Sequence, residues 1–168
     1  MNTIEIKNDA QSLQVIKNID FMLRTKAPKT ILVTADYPEE GHGEFTQSLV
    51  SDLAHVYGRK SFVLDLRNDA IQSSQGINYQ NFKDLDYLET NIDQFKIYLD
   101  ELTNHNDQIF IIHNVNKNIK TSTLPEIKLN GAIAVRSERS VGLKKSRYIS
   151  NLIKDADLPI LGLVEYKA

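Results

Sequence analysis

The sequence predicts an α/β fold, a three-layer sandwich with a mostly parallel sheet between helices. Three observations carry that prediction. Along the 168 residues, short apolar runs alternate with amphipathic segments of helical spacing, the pattern of a parallel sheet with helices on both faces. The run QIFIIH, Gln108 to His113, is apolar almost throughout, as expected of a strand buried on both sides. Residues 29–50 read as a strand, a glycine-containing turn and a helix; in open sheets of this kind ligands sit at the carboxyl ends of the strands.

The elements follow in order. Leu13, Ile16, Ile19, Met22 and Leu23 recur at three-and-four spacing, which predicts an N-terminal helix over about 10–26. Ala27-Pro28 ends it, because the residue before a proline is pushed out of the α region. Thr30 to Ala35 is the first strand. Phe45, Leu49, Leu53 and Val56 predict a helix from about Glu44 to Tyr57, with Gly58 as its C-cap. Ser61 to Leu66 is the second strand. Arg67 to Asp86 loses all periodicity and reads as a long polar loop. Leu88, Ile92, Phe95, Leu99 and Leu102 then mark the clearest helix of the chain, followed by the QIFIIH strand and a polar loop to Pro125. Ala132 to Val135 is a further strand, Ile149, Leu152 and Ile153 share a helical face, and Pro159 opens a last strand, Ile160 to Val164.

Composition narrows the function. A hydrophobic content of 41% and a charged content of 25% are those of an ordinary globular chain, long enough for one domain over 1–168 without staples. A net charge of −2 offers no basic field, so nucleic acid is not an expected partner. The absence of cysteine excludes disulfides and thiolate metal sites. With no apolar run of about 18–20 residues, no membrane span is expected, and a cytoplasmic location is.

The segment KTILVTADYPEEGHGEFTQSLV, Lys29 to Val50, is laid out as a phosphate-holding loop. Backbone N–H groups and a helix N-terminus together attract an anion. Such a loop also needs a lysine after its last glycine and a neighbouring Ser or Thr for magnesium; those positions are His42 and Gly43. In its strand and its Pro-x-Glu-Gly turn, the chain resembles the cytoplasmic ATPase domain of bacterial tyrosine kinases. These proteins act in capsule and exopolysaccharide assembly and belong to the wider Walker-type partitioning ATPases. Lys29-Thr-Ile-Leu-Val-Thr-Ala35 matches the family's KTILVTSAxPGEGKST, and Pro38, Glu40 and Gly41 fall on its Pro, Glu and second Gly. GRKSFVLDLR, Gly58 to Arg67, resembles GxKVLLIDADLR, and NGAIAVRSERS and ILGLV resemble DGVLLVVRxGxT and ILGVV. The resemblance implies a P-loop NTPase-like, Rossmann-like sheet. The spacing between the Asp-Leu-Arg and QIFIIH strands is shorter than the family's, so the sheet is expected to be one strand short.

The departures fall on the chemistry. His42 replaces the lysine of β and γ phosphates, Gly43 the magnesium-binding hydroxyl, and Glu39 puts a carboxylate where the family has glycine. The second strand ends in one aspartate, Asp65, where the family has two, and the third ends in His113-Asn114 instead of an aspartate. Losses on three separate strands imply a catalytically inactive relative, without a required cofactor, in preference to an active ATPase or tyrosine kinase with an atypical site; weak ATP or ADP binding stays open because backbone amides survive the loss of a lysine, as does a sensor in which His42, Arg67 and the loop amides accept another anion. The vestigial site is then Pro38, Glu40, Gly41, His42, Gly43, Asp65 and Arg67. The resemblance implies contact with a polysaccharide co-polymerase-like membrane protein or another subunit of the synthesis machinery, with a homodimer also open. The family's N-terminal ExxRxxR ring contact falls here on Gln14, Lys17 and Asp20 and is not carried over. Its terminal tyrosine cluster is reduced to Tyr166.

Other residues have ordinary readings beside functional ones. None of His42, His55, His105 and His113 stands four residues from another, so no metal site is expected. His42 is expected at an exposed helix start, and His113 as a hydrogen-bonded residue at a strand's rim in preference to a general base. Asp65 and Arg67 read equally as a salt-bridged pair at the sheet edge or as a remnant of the site. The basic run Arg136, Arg139, Lys144, Lys145 and Arg147, interrupted by Glu138, reads as a solvated helix start before it reads as a docking patch.

Overall fold

The structure, a computed structural model, describes residues 3–6, 17–24, 30–35, 41–67, 78–81, 90–114, 129–137, 154 and 157–166. Its strands are β1 (Thr3–Ile6), β2 (Thr30–Ala35), β3 (Ser61–Asp65), β4 (Asn78–Asn81), β5 (Gln108–Asn114), β6 (Gly131–Ser137) and β7 (Ile160–Tyr166). Helix α1 covers residues 17–24, α2 is His42–Tyr57 and α3 is Ile92–His105. The strands form one sheet in the order β1-β7-β6-β2-β5-β3-β4, and each pair is parallel.

Side-chain alternation along the central strands builds two cores. Ile31 and Val33 of β2, Phe110 and Ile112 of β5, and Ile133 and Val135 of β6 face Ile19 and Leu23 of α1 and Phe45, Leu49 and Leu53 of α2. Leu32, Ile109, Ile111, Ala132, Ala134, Leu64 and Leu66 face Phe95 and Leu99 of α3. A central strand with both faces covered has no polar side to alternate with, which is why QIFIIH and TILVTA read as near-continuous apolar runs. Each large side chain buried this way contributes roughly 1.5–3 kcal/mol of transfer free energy.

Helix α2 starts two residues before the expected Glu44 and ends where expected. Gly58 has φ 63, so the Arg59 N–H can turn back to the Leu53 carbonyl at 3.0 Å while the Gly58 N–H meets Ala54 O at 3.1 Å. That left-handed geometry suits glycine.

Two strands come from segments with no strand reading. The expected loop after Arg67 contains β4, in register with β3 from Phe62↔Asn78 to Asp65↔Asn81, in the stretch where a strand was expected to be missing. Its sequence, NYQN, lies at the sheet edge and is half-exposed, so it lacks the apolar run by which central strands are recognised. The segment TIEI forms β1 beside β7. Of the N-terminal helix, residues 17–24 are described as helical. The helix over Ile149, Leu152 and Ile153, Leu88, and the basic residues 139–147 lie outside the described residues, as does the side chain of Arg136.

Candidate functional site

The carboxyl ends of β2, β5 and β3 lie side by side. Register places Thr34 opposite His113, Ala35 opposite Asn114, and Asp65 opposite Ile112. Chain continuity from β2 leads to α2, whose first residue His42 follows Gly41 with φ 80. That left-handed turn lets the chain enter the helix at the strand ends, and glycine takes it without the cost a side chain would incur. Of the vestigial site residues, Gly41, His42, Gly43, Asp65 and Arg67 therefore converge here; Pro38 and Glu40, with Glu39, lie outside the described residues.

The expectation of an exposed His42 is overturned: the residue has 0% exposure. His42 and Gly43, the first two residues of α2, are both buried, and His42 stands near enough to His113 at the end of β5 to act on its charge. His113 is hydrogen-bonded as expected, through Nδ1 to Thr34 Oγ1 at 3.1 Å, but it too is fully buried rather than at a rim. Its Nε2 is buried and has no hydrogen-bond partner among the described residues. Burial, with His42 beside it, pulls the His113 imidazole down to about 3, so the ring is neutral at physiological pH. Two imidazoles thus stand where the resemblance expects a lysine and an aspartate, that of His113 neutral.

The third corner holds an ion pair. Arg67 Nε donates to Asp65 Oδ1 at 2.9 Å and Nη2 to Oδ2 at 2.8 Å, and the Arg67 backbone N–H also reaches Oδ1 at 3.0 Å. Tyr79 donates its hydroxyl to Oδ2 at 2.6 Å. Asn81 Nδ2 donates to the carbonyls of Asp65 and Arg67, both at 3.0 Å. The Asp65 side chain is wholly buried and that of Arg67 is 13% exposed, so the two charges compensate each other where water reaches little. Burial opposes the Arg67 charge, but the hydrogen bond and charge of Asp65, with Tyr79 and Glu44, outweigh it and raise its pKa. Burial and then the bond to Asp65 push the Tyr79 phenol up, keeping it a donor. The salt-bridged reading of Asp65 and Arg67 is therefore the observed one.

Gly43 makes the arrangement possible. A Cβ there would lie 2.6 Å from Arg67 Nη2, 2.8 Å from Nη1 and 3.0 Å from Cζ. The guanidinium rests on the bare backbone of the first turn of α2, at the position of the expected magnesium-binding hydroxyl. A cation at a helix N-terminus meets the positive end of the macrodipole; the Asp65 carboxylate offsets that repulsion.

Sequence reasoning missed Thr34, Tyr79 and Asn81. The i, i+2 spacing of Tyr79 and Asn81 is that of one strand face and was a signal; nothing local marked Thr34. On α1, Asp20, one of the three ring-contact positions, is buried. It accepts from Arg24 Nε and Nη2 at 2.8 and 2.7 Å, while Arg59 Nε lies 3.0 Å from its other oxygen as an ion pair off the hydrogen-bond line. This carboxylate is committed within its own chain. Among the described residues no group of three His, Cys, Asp or Glu is placed to hold a metal, and no helix is long and apolar enough to cross a membrane.

No family model matches the sequence, and no curated protein matches it. Solved structures do. The kinase domain of the Escherichia coli tyrosine kinase ETK superposes with a TM-score of 0.71 at 11% identity, over 94% of this chain and 76% of that one. The chimerical protein CapA2B2 gives 0.74 at 15%, over 98% and 93%. A nucleotide-binding protein of Archaeoglobus fulgidus in complex with ADP gives 0.56 at 15%, over 89% and 70%. The parallel sheet between helices, read from the sequence, is thus an α/β sandwich of P-loop NTPase-like form, and this chain has the fold of bacterial tyrosine-kinase domains.

Proposed function

We propose that the protein is a non-catalytic relative of the bacterial tyrosine-kinase domains, acting through protein–protein contacts as a regulatory or scaffolding subunit in exopolysaccharide synthesis or export. One observation carries the reading: the Arg67 guanidinium, pinned by Asp65, fills the corner over Gly43 where magnesium would have to be held. The two imidazoles support it, since neither supplies the fixed positive charge for phosphates or the carboxylate that orients hydrated magnesium. Its partner on this reading is a polysaccharide co-polymerase-like membrane protein or another subunit of the machinery, which would hold the chain at the inner membrane.

Thermal melting with and without ATP and magnesium tests the proposal. A ligand at about 100 times its Kd adds about 2.7 kcal/mol, or about 5–11 °C for a chain of this size. The expected result is no magnesium-dependent rise, no phosphate release and no phosphotyrosine. A magnesium-dependent rise with turnover would sink the reading.

A further inference from the structure

Strand β4 stands at the edge of the sheet with β3 as its neighbour. It contributes no fully buried side chain: Asn78 and Gln80 are exposed, and Tyr79 and Asn81 are half-buried. Strands β2, β3, β5, β6 and β7 each bury apolar side chains in the two cores. Ordering a strand costs conformational entropy, which apolar burial chiefly offsets. In β4, apart from the ring of Tyr79 packed against the core, hydrogen bonds have to offset it.

Those bonds come from both faces, because successive side chains of a strand point to opposite sides. On the α2 side, Tyr79 donates to Asp65 Oδ2 at 2.6 Å, and Asn81 Nδ2 donates to the carbonyls of Asp65 and Arg67, both at 3.0 Å. On the α3 side, Gln80 Oε1 accepts from the Tyr98 hydroxyl at 2.7 Å. The Asn81 fork fixes the backbone of Arg67 relative to Asp65. Between those two residues, Leu66 is held from the opposite direction, its N–H bonded to the Ile112 carbonyl of β5 at 2.9 Å. When β4 leaves, Leu66 keeps that bond, Arg67 loses the donor on its carbonyl, and Asp65 loses the Tyr79 hydroxyl. The break therefore falls at Arg67. Water then takes the place of Tyr79, and the attraction of Asp65 for Arg67 falls toward the small worth of an exposed ion pair.

We propose that β4 is a detachable strap, which opens by local unfolding while the other strands stay folded and whose departure unlatches Arg67 from Asp65. Closed, the strap keeps the guanidinium on the bare backbone of Gly43. Open, it frees the guanidinium to leave that corner and strips the outer edge of β3 of its partner strand. No ligand takes part, so the device stands or falls apart from the non-catalytic reading.

The test is hydrogen exchange of the full chain, followed by NMR at rising urea below the unfolding transition. The amides of residues 78–81 that bond to β3, and the Nε–H of Arg67, should exchange faster than the amides of β2 and β5. They should also depend less on urea, since a local opening exposes little surface. Tyr79→Phe keeps the ring and removes the donor to a carboxylate; it should speed both sets by about tenfold to a hundredfold. Asn81→Ala should speed the Arg67 Nε–H as well. Ile133→Val on β6 lowers the stability of the fold alike with the strap open or closed. It should speed the β2 and β5 amides about two- to tenfold and leave β4 and Arg67 unmoved. Exchange of β4 at the rate and urea dependence of β2 and β5, acceleration of β4 along with them in Ile133→Val, or an Arg67 Nε–H unmoved by Tyr79→Phe would overturn the proposal.

Discussion

Replacing Gly43 by alanine should destabilise the wild-type protein and stabilise a variant that lacks the Arg67 side chain. Gly43 has no positive φ, so its helical backbone accepts alanine, and the exchange alone favours a helix by up to about 1 kcal/mol. In the wild type the new Cβ would stand 2.6–3.0 Å from three guanidinium atoms of Arg67. Carbon–nitrogen contact requires about 3.4 Å or more, so the guanidinium must move by several tenths of an ångström. It cannot do so and keep both bonds of 2.8–2.9 Å to Asp65. Weakening hydrogen bonds between charged groups costs about 1.5–3 kcal/mol each, and leaving a buried carboxylate unpaired costs about 3–5 kcal/mol. Some of this is recovered by adjustment of a long side chain, so a net loss of about 2–3 kcal/mol is expected. For a chain of this length that lowers Tm by about 4–12 °C. In an Arg67→Ala background the collision is gone, and Gly43→Ala should raise Tm by up to about 4 °C. Four thermal melts close the cycle. A neutral or stabilising Gly43→Ala in the wild type would refute the claim that glycine is required by the guanidinium above it.

The buried His113 gives the protein a pH dependence whose sign follows from its depressed pKa. The native ring stays neutral down to about 3, whereas the unfolded ring protonates near 6.5. Its stabilisation is therefore complete above about pH 6.5 and lost as pH falls toward 3, with about 1.4 kcal/mol gone by pH 5.5. Urea titrations at pH 7.5 and 5.5 should show that loss, and His113→Asn should flatten it; an unchanged slope would mean that His113 is not the buried neutral group described. Asp20→Ala should cost about 1–3 kcal/mol, since it removes the charged hydrogen bonds of a side chain that is 1% exposed, while Arg24, 57% exposed, can turn to water. A urea midpoint within error of the wild type would show that α1 is not fastened through this carboxylate.

The central fold was legible because its determinants are local. QIFIIH and TILVTA have to be apolar over most of their length once both faces are covered, and Phe45, Leu49 and Leu53 have to recur at helical spacing to lie on that sheet. The Gly58 cap was legible for the same reason, as a single residue carrying a single φ. The edge strands β1 and β4 were not: a strand with one neighbour and a polar side has no pattern distinct from a loop, and only its pairing with β7 or β3 makes it a strand. At the site, the sequence by itself determined which residue types stand at the phosphate and magnesium positions. It did not determine where they point. His42 was expected in water because it opens a helix after a polar turn, yet the packed structure buries it completely. Asp65 and Arg67, two residues apart, admitted two readings until Gly43, brought from another element, provided the bare backbone on which the guanidinium rests. Charge type is a property of the residue. Burial, pairing and the unmatched nitrogen of His113 are properties of neighbours far along the chain, and only the packed sheet assembles them.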